Sequence, residues 1–112
     1  MITKELLSEV LNEKITEIKP IQPTKRLLYF RVMIGKYEEI FGADINIYEL
    51  AHKCKGWAWE NGYIIENYFA FGDGICKVFN TRWERIYKCI EDTEQEAIFK
   101  ACQWILENKD KQ

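Results

Sequence analysis

The chain is short of most of what catalysis needs. Its 112 residues include one histidine, His52, and one serine, Ser8. Ser8 falls on the polar side of the first expected helix, so a Ser-His-acid triad is not expected. The cysteines Cys54, Cys76, Cys89 and Cys102 form no Cys-x-x-Cys pair and lack the ligand spacing of a zinc site. His52 and Cys54 are two apart, which on a helix turns their side chains roughly 200° from one another, too far to share an ion or a proton. Gly62 and the run Gly72-Asp73-Gly74 do not match a dinucleotide or P-loop spacing. No apolar run approaches the ~18 residues that span a bilayer. No metal, cofactor or membrane contact is expected, and the chain reads as non-enzymatic.

Neither charge sign dominates. Lys plus Arg total 16 and Asp plus Glu total 18, a formal net charge of −2. A general binder of nucleic acid or membrane surfaces is usually basic, although a local basic patch remains compatible with this balance. Met1-Ile2-Thr3-Lys4-Glu5 leads straight into a polar-faced helix rather than a signal peptide. The expectation is a cytoplasmic protein whose cysteines are reduced, small core residues.

Apolar and aromatic residues, in contrast, are plentiful, at 47% and 14%. That suffices for one core in one domain spanning residues 1–112. Thr3 can cap a helix with Leu6, Leu7, Val10 and Leu11 on one face. Pro20 and Pro23 forbid a helix through residues 19–24. Residues 26–34, nearly continuous in apolarity and closed by Gly35, predict a strand. Residues 14–21 are either an extension of the first helix or a strand paired to it across Gln22-Pro23-Thr24. Residues 36–44 read as a connecting loop, with room for one helical turn.

Asn46-Ile47-Tyr48-Glu49 has the form of a capping box, with Ile45 and Leu50 as its hydrophobic staple, and opens a helix to Glu60 that Asn61-Gly62 stops. Residues 63–71 and 75–79 predict two strands, with Asp73-Gly74 supplying the positive-φ residues of the hairpin. Residues 83–90 predict a third, although their charges also permit a helix. Thr93-Glu94-Gln95-Glu96 caps a last helix. The order is helix, one or two strands, helix, three strands, helix. It implies an α+β fold, a small antiparallel sheet packed by about three helices. The sequence shows no internal repeat.

Residues 45–63 (INIYELAHKCKGWAWENGY) and 93–109 (TEQEAIFKACQWILENK) resemble parts of small uncharacterised proteins encoded by bacteriophages and prophages. The resemblance covers about a third of the chain. It implies a phage or mobile-element setting and assigns no catalytic residue. A strand followed by a Thr-x-x-Glu-capped helix is also similar to the end of double-stranded-RNA-binding domains. Those carry a Lys-rich start to that helix, where this chain has Glu94 and Glu96.

Two groups of residues are candidates for binding. Ile47, Leu50, Ala51, Cys54, Trp57 and Ala58 form the apolar face of the central helix. Tyr48, His52, Lys55 and Trp59 form an adjoining stripe, and together the two exceed the arc that a one-sided helix needs. Either another element, such as the first helix, covers the stripe, or it binds a protein partner, a second copy of the chain included. The second group is Lys77, Arg82, Trp83, Arg85 and Lys88, with Phe79 and Tyr87 among them. Cations interleaved with aromatics can grip a nucleic-acid backbone while rings stack on bases, although Glu84, Glu91 and Asp92 dilute the charge. The sequence therefore reads as an accessory protein that binds another protein, for example as an inhibitor of a host defence nuclease such as a CRISPR effector. The alternative is a small RNA- or single-stranded-DNA-binding module.

Overall fold

The computed structural model describes residues 2–19, 26–34 and 39–111. Helix α1 (Lys4–Leu11) starts at Thr3, whose hydroxyl oxygen accepts the Leu6 N–H at 3.1 Å and donates to Oε1 of Gln103 at 2.7 Å. The cap thus also ties the first helix to the last. Asn12 ends α1 in the left-handed region at φ 53°.

Strands β1 (Lys14–Lys19), β2 (Leu27–Ile34) and β3 (Glu39–Asn46) form an antiparallel sheet in that order. Of the two readings of residues 14–21, the strand is the one formed. Its turn at Gln22-Pro23-Thr24 lies outside the described residues. Strand β3 corrects the expected loop at residues 36–44. It pairs along its full length with β2, with Leu28 opposite Ile45 and Phe30 opposite Ala43. Its first six residues are exposed, so it lacks the buried alternation that marks a strand in sequence, and backbone pairing with β2, with Ile45 anchored in the core, holds it in place.

Helix α2 (Ile47–Glu60) follows directly. Oδ1 of Asn46 accepts from the N–H groups of Tyr48 at 2.8 Å and Glu49 at 3.4 Å. Gly62, at φ 86°, turns the chain out of the helix. Strands β4 (Ile64–Ala70), β5 (Asp73–Phe79) and β6 (Arg85–Glu91) then form a second antiparallel sheet in sequence order. The hairpin turn sits two residues earlier than expected. Ala70 pairs with Asp73, and the left-handed residues are Phe71 (φ 55°) and Gly72 (φ 81°), not Asp73 and Gly74. Gly74 instead lies under the start of the last helix. A Cβ there would strike the backbone of Thr93 and Glu94.

Helix α3 (Glu94–Asn108) is capped by Thr93, whose side chain accepts from the Glu96 N–H at 3.1 Å. A short 3-10 turn (Lys109–Lys111) follows.

The protein is therefore α+β, with two three-stranded sheets where one small sheet was expected. Each set of strands pairs with its sequence neighbours, and α2 intervenes between them. The same order of elements, three antiparallel strands and a capped helix, occurs twice along the chain. With the caps Asn46 and Thr93 superposed, the buried Leu50, Ala51, Cys54 and Ala58 of α2 correspond to the buried Ala97, Ile98, Ala101 and Ile105 of α3. In the same register Glu49, Lys53, Trp57, Glu60 and Asn61 fall on Glu96, Lys100, Trp104, Glu107 and Asn108, whereas exposed His52 falls on buried Phe99.

One core joins α1, α2, α3 and both sheets through Leu6, Leu28, Leu50, Val78 and Ile105, all fully buried. Among the described residues no polar or charged side chain is buried, and no helix is long and apolar enough to cross a membrane.

Candidate functional site

The two candidate surfaces lie on different elements. On α2, the residues that face the core are Leu50, Ala51, Cys54, Trp57 and Ala58. Tyr48, His52 and Trp59 stand outside that arc and are exposed, while Lys55 is half-buried. Trp59 is 68% exposed and Trp57 only 6%, so the two tryptophans, two positions apart, have opposite environments. The stripe is not covered by α1, contrary to one of the two readings of the sequence. Helix α1 instead meets α2 across a cleft of about 320 Å³ whose lining includes Val10, Leu11, His52, Gly56 and Trp57. At the N-terminal end of the stripe the Arg26 guanidinium lies 5.3 Å from the centre of the Tyr48 ring. The N–H of Ile47 donates to the carbonyl of Arg26 at 2.9 Å, which fixes that residue beside the helix start.

The second surface is the outer face of the β4–β6 sheet. The inner face carries Cys76, Val78 and Cys89, which α3 covers. Alternation sends Ile75, Lys77, Phe79 and Lys88 outward. Strand register builds three rows across this face, namely Tyr68, Ile75 and Ile90, then Glu66, Lys77 and Lys88, then Ile64, Phe79 and Arg85. The Lys77 ammonium lies 5.4 Å from the centre of the Tyr68 ring. Among the described residues the ion pairs are Arg31–Glu17 and Lys100–Glu91, and neither engages Lys77, Arg82, Arg85 or Lys88.

Arg82 and Trp83 sit in the β5–β6 loop, which Asn80 organises. Oδ1 of Asn80 accepts from the N–H groups of Arg82 and Glu84, each at 3.0 Å. The Asn80 N–H donates to the Glu84 carbonyl, and the Trp83 N–H to the Asn80 carbonyl, each again at 3.0 Å. This knot holds Trp83 at φ 62°, a left-handed conformation that costs an L-residue about 1–2 kcal/mol. The indole of this residue is 68% exposed, with its ring 6.2 Å from that of Phe79.

No family model matches the chain, and no curated protein or solved structure matches it.

The structure brings Lys77, Lys88 and Arg85 onto one sheet face, with Arg82 and Trp83 at its end. It removes Tyr87 from that group. The Tyr87 ring stacks on Trp104 of α3 at 4.9 Å and 7°, on the inner side. Alternation could have shown this, since Lys88 facing outward turns Tyr87 inward. Tyr68 is not conspicuous in the sequence, because only the β4–β5 register places it beside Lys77. Phe71, fully exposed at the hairpin tip, is hidden in the sequence by the Asp-Gly pair that marks the turn two residues too late.

The cysteines gather in two buried, unbridged pairs. Cys76 and Cys89 are cross-strand partners, and the Cys102 thiol donates to the Cys54 carbonyl at 3.5 Å. The Cys76 thiol is pushed far above the ordinary thiol range by its hydrogen bond with Cys89 and then by burial. Cys102 is pushed up likewise by its hydrogen bond with Cys54 and then by burial. His52 is exposed where Cys54 is buried, so the two do not meet. Among the described residues no three or more His, Cys, Asp or Glu side chains are grouped to hold a metal ion.

Proposed function

We propose that the protein acts without catalysis, by binding another protein through the Tyr48, His52, Lys55 and Trp59 side of α2. The observation that carries this reading is Trp59. A large aromatic lies mostly in solvent on a well-capped helix whose apolar face is already satisfied by the core. Exposed Trp and Tyr beside a cation are the residue types that anchor interfaces, because they bury much area at little entropic cost. The resemblance of residues 45–63 and 93–109 to phage and prophage proteins supports a host factor as the partner. A host defence nuclease, such as a CRISPR effector, is the first partner class to test. Glu49 and Glu60 are exposed at the two ends of α2, where acidic groups can meet a basic nucleic-acid channel.

The test compares the native chain with Trp59→Ala in capture from nuclease-treated host lysate, followed by affinity measurement on the retained protein. Loss of an anchor of this kind costs about 2 kcal/mol or more of binding. Stability should change by less than about 0.5 kcal/mol, because an exposed side chain leaves no cavity. A partner held equally well by both chains, or a stability loss of several kcal/mol, overturns the reading.

A further inference from the structure

We infer that the outer face of the β4–β6 sheet, with Trp83 at its end, is a binding surface for single-stranded nucleic acid. This surface is separate from the one proposed on α2. Three kinds of observation converge on it.

The first is charge. Lys77 and Lys88 are direct cross-strand partners, Arg85 stands opposite Phe79, and Arg82 is in the adjoining loop. None of the four is engaged in an ion pair among the described residues, although Glu66 stands opposite Lys77 in the same row. Like charges placed opposite each other on a sheet are unfavourable unless something neutralises them. A phosphodiester chain supplies evenly spaced negative charge and releases counterions when it does so.

The second is the set of rings. Tyr68 and Phe79 lie on the sheet face itself, and Trp83 extends it from the loop. Unstacked bases can lie on such rings whatever their identity, whereas the bases of a duplex are already stacked on each other.

The third is strain. The Asn80 knot forces a bulky aromatic into a left-handed backbone. Asparagine or glycine would take that conformation at lower cost. The folded loop thus presents the indole to solvent at an energetic disadvantage, an arrangement that accumulates at sites of function.

The experiment is fluorescence anisotropy with labelled oligouridylate and oligothymidylate of about 12 nucleotides, within the site size of one small fold, and a duplex of the same length. Tight binding of either single strand in low salt, with weaker binding of the duplex, is expected. Preference for one of the two single strands identifies RNA or DNA as the source. Lys77→Gln with Lys88→Gln should reduce the slope of log K against log salt by about 1.4, since each phosphate left unneutralised on a single strand lowers it by about 0.7. Trp83→Gly suits the backbone conformation, so the fold persists. It should weaken binding by about 5- to 150-fold, the range for removal of a stacking ring, with little change in slope. The inference is overturned if neither oligonucleotide binds in low salt, if the duplex binds as well as the single strands, or if these variants bind like the native chain. Trp59→Ala should leave nucleic-acid binding intact, so failure of this inference and failure of the α2 reading are distinguishable.

Discussion

Trp83 is the residue at which local preference and folded conformation conflict most. Its backbone lies in the left-handed region, its indole is mostly exposed, and three surrounding hydrogen bonds from Arg82, Trp83 and Glu84 all end on Asn80. Replacement by asparagine, which tolerates this conformation, should raise stability by about 0.5–1 kcal/mol. Chemical denaturation would measure the gain, and a decrease would show that the ring contributes more by packing on Phe79 than the backbone costs. Gly74 is the opposite case. Its importance comes from the close approach of the Thr93 backbone, not from any turn it makes. In sequence it looks like half of an Asp-Gly turn, and only the position of α3 shows that space is what it provides.

At the scale of the element, the helices were the most legible part of the chain. Each is announced by a side chain that satisfies the first free N–H groups, Thr3 for α1, Asn46 for α2 and Thr93 for α3. That chemistry is local, so it is written in neighbouring residues. Asn46→Ala removes the acceptor for two N–H groups and should cost about 1 kcal/mol of stability, read from the shift of the denaturation midpoint at constant slope. A change within error would place the helix start elsewhere. The strands were less legible. Strand β2 declared itself by apolarity, but β3 is exposed over most of its length and is held by its pairing with β2 rather than by a pattern of its own. Exposure also separates the two stripes of α2. The 3.6-residue period shows which residues share a side, and only packing shows that α1 leaves Tyr48, His52 and Trp59 open.

At the scale of the molecule, the core is apolar, and the thiols of Cys76 and Cys102 in it are held protonated, while the hydrogen bond with Cys76 lowers Cys89. Cys102 is held well above the ordinary thiol range by its hydrogen bond with Cys54 and then by burial, and burial raises Tyr63 and Tyr87. These acids stay neutral in the folded chain at a pH where the unfolded chain loses protons. The folded state then binds more protons, so stability must fall as pH rises. The decline should begin near about pH 8.5, where an unfolded thiol ionises, and deepen above about pH 10, where unfolded tyrosines do. Each proton fully retained costs about 1.4 kcal/mol per pH unit beyond those points. Denaturation under reducing conditions at about pH 7.5, 9 and 10.5 would test this. A flat profile would mean that the folded thiols and phenols ionise as freely as the unfolded ones.

By itself the sequence determined what depends on near neighbours. It specified the α+β class, the capped helices and their apolar faces, and the mixture of cations and rings around Lys77 to Lys88. Tertiary structure decided what depends on distant partners. It split the strands into two sheets and moved the second hairpin turn. It also gave Tyr87 its partner Trp104, brought Tyr68 beneath Lys77, and left Trp59 in solvent. The physical reason is the range of the interactions. A cap is satisfied within three residues, whereas register and burial are set by whichever surface arrives opposite, which no local pattern encodes.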